Sequence, residues 1–268
     1  MINGKFKCID AHCHIYPNKI ARLAVNHTDE FYKVRSKYSG TVESLIKHGQ
    51  KCGVDKFIVQ SVATTPHQVR SINEFIKKQV DENKEYLVGL GTVHPESQDY
   101  KGDVNHLVEM GLKGIKIHPD IQNFHVDDSR FMQIYEYMQE FNLTLLMHSG
   151  DSRYDNSNPN RIIPILKAFP NLKVVGAHFG GWSIWEEASK ELCKYPNFFV
   201  DTSSSLAYIT SATAKEIILR YGIDKVMFAS DYPMWGIKDD ILKLLSLNLS
   251  DDDFSKMFYE NAVKIYNL

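Results

Sequence analysis

The sequence carries almost no excess charge of either sign, with a formal net charge of -2 when histidine is neutral, and its lysines and arginines are scattered. Lacking a basic stripe or a polybasic tail, it offers nothing to nucleic acid or to a membrane surface. No apolar run approaches the roughly 18 residues of a membrane span, and residues 1–7 run into a first strand without the apolar segment of a signal peptide. Cysteine is scarce. The four present, Cys8, Cys13, Cys52 and Cys193, show no CxxC spacing and are too few for a disulfide scaffold, so they read as reduced thiols that pack. Also missing is a GxGxxG turn after the first strand, the usual sign of a nucleotide site in an open α/β sheet. These absences leave a cytoplasmic protein whose partner is a small-molecule substrate. The tyrosines and phenylalanines leave open whether a homo-oligomer interface exists or whether they serve only the core.

What is present is an eightfold alternation of strand and helix. Strands are expected at Phe6 to Tyr16, Lys56 to Ala63, Tyr86 to His94, Lys113 to His118, Leu143 to His148, Lys173 to His178, Phe198 to Ser203 and Val226 to Asp231. Between them lie helical stretches, clearest at His67 to Asn83, where Val69, Ile72, Phe75, Ile76 and Val80 keep a helical period. Two closing helices are expected at about 239–247 and 251–266. Such alternation implies parallel strands with right-handed crossovers. Eight units in 268 residues favour a single-domain α/β fold, a (β/α)8 TIM barrel over residues 1–268, whose active site lies at the C-terminal ends of the strands.

Side chains suited to metal chemistry stand at those ends. In His12-Cys13-His14, strand alternation aims both imidazoles to one side, with Asp10 and Cys8 on their face and Cys13 opposite. Two imidazoles so placed suit a divalent metal and are hard to explain as core packing. His148, His178 and Asp231 each end a further apolar run, and glycines follow both histidines. Lys116 and His118 share a parity on strand four. A lysine inside an apolar strand is costly unless paired or functional, so Lys116 is a candidate carboxylated bridge to a second metal or a positive charge for a substrate carboxylate. His118 and, more weakly, His94 join the candidates, and Asp10 is a candidate to orient a ligand imidazole. Segment 18–40 is too long for an ordinary connection and reads as a lid or substrate loop, with Arg22 or Arg35 available for an anionic substrate. Arg153 and Tyr154 stand in a similar position past His148, while Trp182 and Trp235 would wall an apolar pocket.

Asp10-Ala11-His12-Cys13-His14, Gly114-Ile115-Lys116-Ile117-His118-Pro119, His148-Ser149-Gly150, Gly176-Ala177-His178-Phe179-Gly180-Gly181 and Ser230-Asp231-Tyr232-Pro233 together resemble the amidohydrolase superfamily. Their wording is closest to the amidohydrolase-related (amidohydrolase 2) branch, which includes the aminocarboxymuconate semialdehyde decarboxylases. The resemblance implies that His12, His14, His148 and Asp231 hold one divalent metal, most often zinc. His178 would then contact the metal-bound water or the substrate, or bind a second ion. Manganese is not excluded by affinity order alone. The chain departs from the decarboxylases in being shorter and in carrying Lys116 and His118.

The leading expectation is a metal-dependent hydrolase of an amide, lactone or ester in a small carboxylate-bearing molecule. Asp231 would accept and return the proton, His178 would stabilise the developing oxyanion, and Lys116, His118, Arg153, Arg22 and Trp182 would contact substrate. The alternative is metal-dependent, non-oxidative decarboxylation. A third reading is a barrel that only binds a metal or ligand.

Overall fold

A computed structural model describes residues 1–268. Its apolar runs form strands β1 (Ile9–His14), β2 (Lys56–Gln60), β3 (Leu87–Gly89 and Gly91–Thr92), β4 (Gly114–Ile117), β5 (Thr144–Met147), β6 (Val174–Gly176), β7 (Phe198–Asp201) and β8 (Val226–Met227). Leu90 alone interrupts β3, which pairs in parallel with β2 along its first stretch and with β4 along its second. Every other neighbouring pair is parallel as well. The ring closes between first and last strands: the Ala11 N–H donates to the Phe228 carbonyl at 3.0 Å and the His14 N–H to that of Tyr232 at 2.7 Å. Cys13 bridges Tyr232 in parallel. The structure is the expected TIM barrel.

Strands covered on both faces carry two sets of apolar side chains. Leu146, Val175 and Met227 belong to a small inner cluster, whereas their neighbours Leu145, Met147, Val174 and Val226 belong to a 52-residue cluster between barrel and helices. Ala262, Ile265 and Tyr266, from the helix Asn261–Tyr266, complete the inner cluster. The Thr144 hydroxyl, at the start of β5, donates to the Ile265 carbonyl at 2.9 Å, so this helix floors the barrel and leaves the mouth at the other end.

One local expectation is corrected. Strict alternation along the first strand puts Cys8, Asp10, His12 and His14 on one face, but the β1–β2 register shifts between Asp10 and Cys13. This bulge lets Ile9 and Ala11 fill the barrel while His12 and His14 still turn inward, and Cys8 joins Cys13 in the outer cluster. Segment 18–40, expected as a lid or substrate loop, carries an unforeseen helix, α1 (Ala21–Tyr32), which ends at Lys33 in a left-handed conformation. Helix α2 (Val42–Lys51) follows, and α3 (Val69–Glu82) follows β2.

One buried acid makes a stability prediction. Asp240, on the helix Ile237–Leu245, is buried with one carboxylate oxygen unpartnered, and burial raises its pKa to about 7. A carboxyl whose folded pKa exceeds its unfolded value binds more protons in the native state, so its contribution to stability falls as pH rises from about 4 to 7. Asp240→Asn is therefore expected to stabilise the protein at pH 8 by on the order of 1–3 kcal/mol, and by less at pH 5. Melting curves of both proteins at the two pH values check this; a variant no more stable at pH 8 would reject it.

Candidate active site

At the barrel mouth β1 and the loop after β8 bring three of the expected metal ligands together. His12 Nε2 and His14 Nε2 stand 3.1 Å apart, and Asp231 Oδ1 lies 3.5 Å from the first and 3.6 Å from the second. Ligands about 2.1 Å from a shared ion stand about 3.0 to 3.4 Å from one another, so this triangle fits a divalent cation. The tautomers agree. His12 Nδ1 donates to Asp201 Oδ2 at 2.9 Å, which leaves the Nε2 lone pair aimed at the triangle. Burial, then the neighbouring His12, holds His14 well below the usual histidine range and so neutral. Burial works to raise Asp231, but His12, His178 and His14 overcome it, and the carboxylate stays ionised.

His148 and His178 form the adjoining wall. His148 Nδ1 faces His178 Nε2 at 3.0 Å, and the His178 Nδ1–H donates to the Ser203 carbonyl at 3.0 Å. Burial lowers His178 to about 4 and holds His148 and His118 well below their usual range. His148 does not enter the tight triangle; its Nε2 lies 3.5 Å from Asp120 Oδ2, and His148, Asp120 and Asp151 form a second compact donor group. The loops carrying the two histidines pack backbone against backbone: a Cβ on Gly150 would stand 2.6 Å from the Gly181 Cα. His178, Ser204 and Asp231 take positive φ of 60°, 45° and 57°, a cost on the order of 1–2 kcal/mol each that aims all three from strand ends into the mouth.

Lys116 is fully buried, with Nζ 3.2 Å from His12 Nε2. Burial lowers it to about 8 despite the pull of Asp231 and Asp201. His118 stacks on His148 with ring centres 4.1 Å apart and meets the Tyr32 hydroxyl at 2.7 Å. Both line a cavity of about 890 Å³ together with Tyr32, Trp182, Tyr208 and Trp235.

Other expected contacts lie elsewhere. Arg22 is exposed on α1 and Arg35 is also absent from the cavity wall. The Arg153 guanidinium is occupied by Asp151 at 2.7 Å and by the Phe31 carbonyl at 3.0 Å. It lies 5.1 to 5.5 Å from the ring centres of Phe31, Tyr32, Tyr154 and Trp182. It thus clasps the end of α1 rather than reaching the cavity. Asp10 accepts from the Ser230 N–H and hydroxyl at 2.9 and 2.5 Å, joining β1 to the end of β8 instead of orienting an imidazole. His94 lines a separate surface depression. Arg153→Lys keeps a charge beside Asp151 but cannot make the planar fork or the stack. It should speed proteolytic cleavage within 18–40 severalfold; a cleavage rate equal to wild type would dismiss the clasp.

Four site residues escaped the sequence. Asp201 holds His12, Asp120 borders His148, Tyr32 spans His118 and His148, and Ser204 links the Trp235 Nε1–H, at 2.6 Å, to the Asp231 carboxylate. Asp201 alone had a readable signal, an acid ending the apolar run Phe198-Phe199-Val200 as Asp231 ends another.

A closed parallel barrel with a His/Asp triangle at its mouth defines a TIM-barrel protein with a candidate divalent-metal site. The family model described as Amidohydrolase matches residues 9–268, and the chain belongs to that family. A 2-amino-3-carboxymuconate-6-semialdehyde decarboxylase of Dictyostelium discoideum is 24% identical in an alignment of 204 positions that covers 60% of this chain and 55% of that protein. The chain therefore spans about half the length of that relative. Among solved structures, the 5-carboxyvanillate decarboxylase of Sphingomonas paucimobilis superposes with a TM-score of 0.77 at 18% identity, covering 98% of this chain and 100% of the other. A dihydroxybenzoic acid decarboxylase from a Polaromonas species, with bound manganese and the inhibitor 2-nitroresorcinol, superposes with a TM-score of 0.73 at 16% identity, covering 98% and 97%.

Proposed function

We propose that this enzyme is a metal-dependent, non-oxidative decarboxylase of a planar aromatic or conjugated carboxylic acid, the alternative to hydrolysis raised by the sequence. One observation carries the reading. Lys116 is the sole lysine or arginine on the cavity wall, and it stands beside the ligand triangle in a cavity that Tyr32, Trp182, Tyr208 and Trp235 also line. One buried cation in an aromatic-walled cavity suits a single carboxylate on a planar skeleton. The decarboxylases among its relatives and structural neighbours support the same choice.

His12, His14 and Asp231 would hold the metal, with His148 as the fourth ligand the family resemblance implies. Zinc suits these imidazole-rich donors, and manganese is the ion of one neighbour. Bound there, the metal supplies a positive anchor for the substrate's oxygens. Lys116 holds the carboxylate in register. Asp231 accepts the proton of the substrate's phenolic or enolic hydroxyl and returns it to the carbon that bears the carboxylate. The bond to the carboxylate then breaks, its electron pair restores the conjugated system, and carbon dioxide leaves; the phenolate or enolate formed takes a proton from solvent. His178, with Nδ1–H committed to Ser203, presents Nε2 to the same face and steers the substrate.

The test is a panel of hydroxybenzoates and conjugated unsaturated acids, labelled at the carboxyl carbon, incubated with metal-reconstituted protein in D2O. Labelled carbon dioxide with one deuterium at the vacated carbon is expected. Turnover of esters, lactones or amides with oxygen from labelled water entering the product, and no carbon dioxide from any acid, would return the enzyme to the hydrolases.

A further inference from the structure

The cavity is larger and more apolar than a single-ring acid requires. Its volume of about 890 Å³ sits near the top of the range that accommodates drug-sized ligands, and the charged carboxylate and ammonium groups on its wall, Asp231 and Lys116, are both at the ligand end. A further part of the wall comes from the start of α1 and the first turns of α3, through Ile20 just before α1, Leu23, Ala24, Ile72 and Phe75. The polar residues among them, His27, Thr28, Gln68 and Ser71, include no lysine, arginine or carboxylate. Ile20 is 49% exposed and Leu23 57% exposed although both line the cavity. Apolar surface left open on the wall of a binding cavity gains most from an apolar occupant.

We propose that the substrate carries an apolar tail of several carbons, which extends from the planar acid along the α1 and α3 flank. A second carboxylate at that end would meet no lysine or arginine, only the exposed imidazole of His27, and desolvating it against Ile72 and Phe75 would be costly. A straight alkyl or alkenyl chain instead covers Ile20, Leu23 and Phe75, and each fully buried methylene should tighten binding by up to about fourfold. The flank selects the substrate by its tail, whereas the chemistry takes place at the acid. This rests on the decarboxylase reading only in taking a carboxylate as the group held at Lys116.

Trp182 and Trp235 line the cavity, so quenching of tryptophan fluorescence reports binding apart from turnover. With metal-loaded protein the probes are 2-hydroxybenzoate, its 4-propyl and 4-hexyl derivatives, and its 4-carboxy derivative, each also assayed for carbon dioxide release. Kd should fall at least tenfold from the parent to the hexyl acid, and the 4-carboxy acid should bind no better than the parent. In Ala24→Phe, which fills the flank, the parent-to-hexyl ratio of Kd should collapse towards one. Equal Kd values across the wild-type series, tighter binding of the 4-carboxy acid, or an undiminished ratio in the variant would each overturn the tail. Tail-dependent binding without carbon dioxide from any probe would uphold the tail while sinking the decarboxylase reading. Carbon dioxide from the parent acid with no gain from the tail would do the reverse.

Discussion

Asp231→Ala and His12→Ala are each expected to lower kcat/KM on the order of 10³–10⁵-fold and to strip the bound divalent ion, while the far-ultraviolet circular dichroism of the barrel is retained. Each removes one corner of a triangle whose sides are 3.1, 3.5 and 3.6 Å, and two corners with the more distant His148 do not hold a cation at useful affinity. Asp231 loses in addition the carboxylate that carries the proton. Neither side chain supports the core: the inner cluster is built from Ile9, Ala11, Leu146 and their neighbours below. Asp201→Asn should act more mildly, weakening metal affinity about 10–100-fold by loosening the His12 tautomer. Elemental mass spectrometry beside activity assays settles the matter. Wild-type protein with about one ion per chain fits the single centre, near two would reassign Lys116 as a carboxylated bridge, and full activity in either alanine variant would refute the ligand set.

Lys116→Met should move activity and stability in opposite directions. Without the cavity's cation, kcat/KM for a carboxylate substrate should fall by about 10²–10³, the scale of a lost charge-assisted contact in a desolvated site. The fold should gain, because a buried ammonium facing His12 is replaced by an apolar chain of similar length. The sign follows from its pKa. Burial lowers Lys116 to about 8, so the unfolded chain binds more protons between pH 8 and about 10.4, and wild-type stability contributed by this group rises across that window. The advantage of Lys116→Met in metal-free protein should therefore be largest at pH 7 and shrink towards pH 10. A variant as active as wild type, or less stable than it at pH 7, would remove Lys116 from the role assigned to it.

The barrel was legible because each strand and helix repeats with its own period, and the strand ends could then be read as site positions. His12, His14, Lys116, His118, His148, His178 and Asp231 all stand at the mouth for that reason. The bulge in β1 was not legible, since Ile9-Asp10-Ala11-His12 looks the same with or without the extra residue. Helix α1 escaped because it presents Leu23 and Ala24 to a cavity rather than to the core, burying Ala21 and Val25 alone. Tyr32 arrives from that helix, and no pattern along the chain links it to His118, 86 residues on. The contacts of Arg153 were not legible either: a cation beside a candidate ligand suggests substrate, whereas in the structure Asp151, two residues earlier, holds it.

The ligand triangle straddles the seam of the barrel. His12 and His14 belong to the first strand and Asp231 follows the last, beside the Ala11–Phe228 and His14–Tyr232 hydrogen bonds that close the ring. A cation gripped by all three is thus a cross-link between strands that nearly the whole chain separates, where closing the loop costs the most entropy. Loading the centre should slow amide hydrogen exchange at Ala11 and His14 far more than at Leu145 or Val175, which lie in the unbroken part of the sheet.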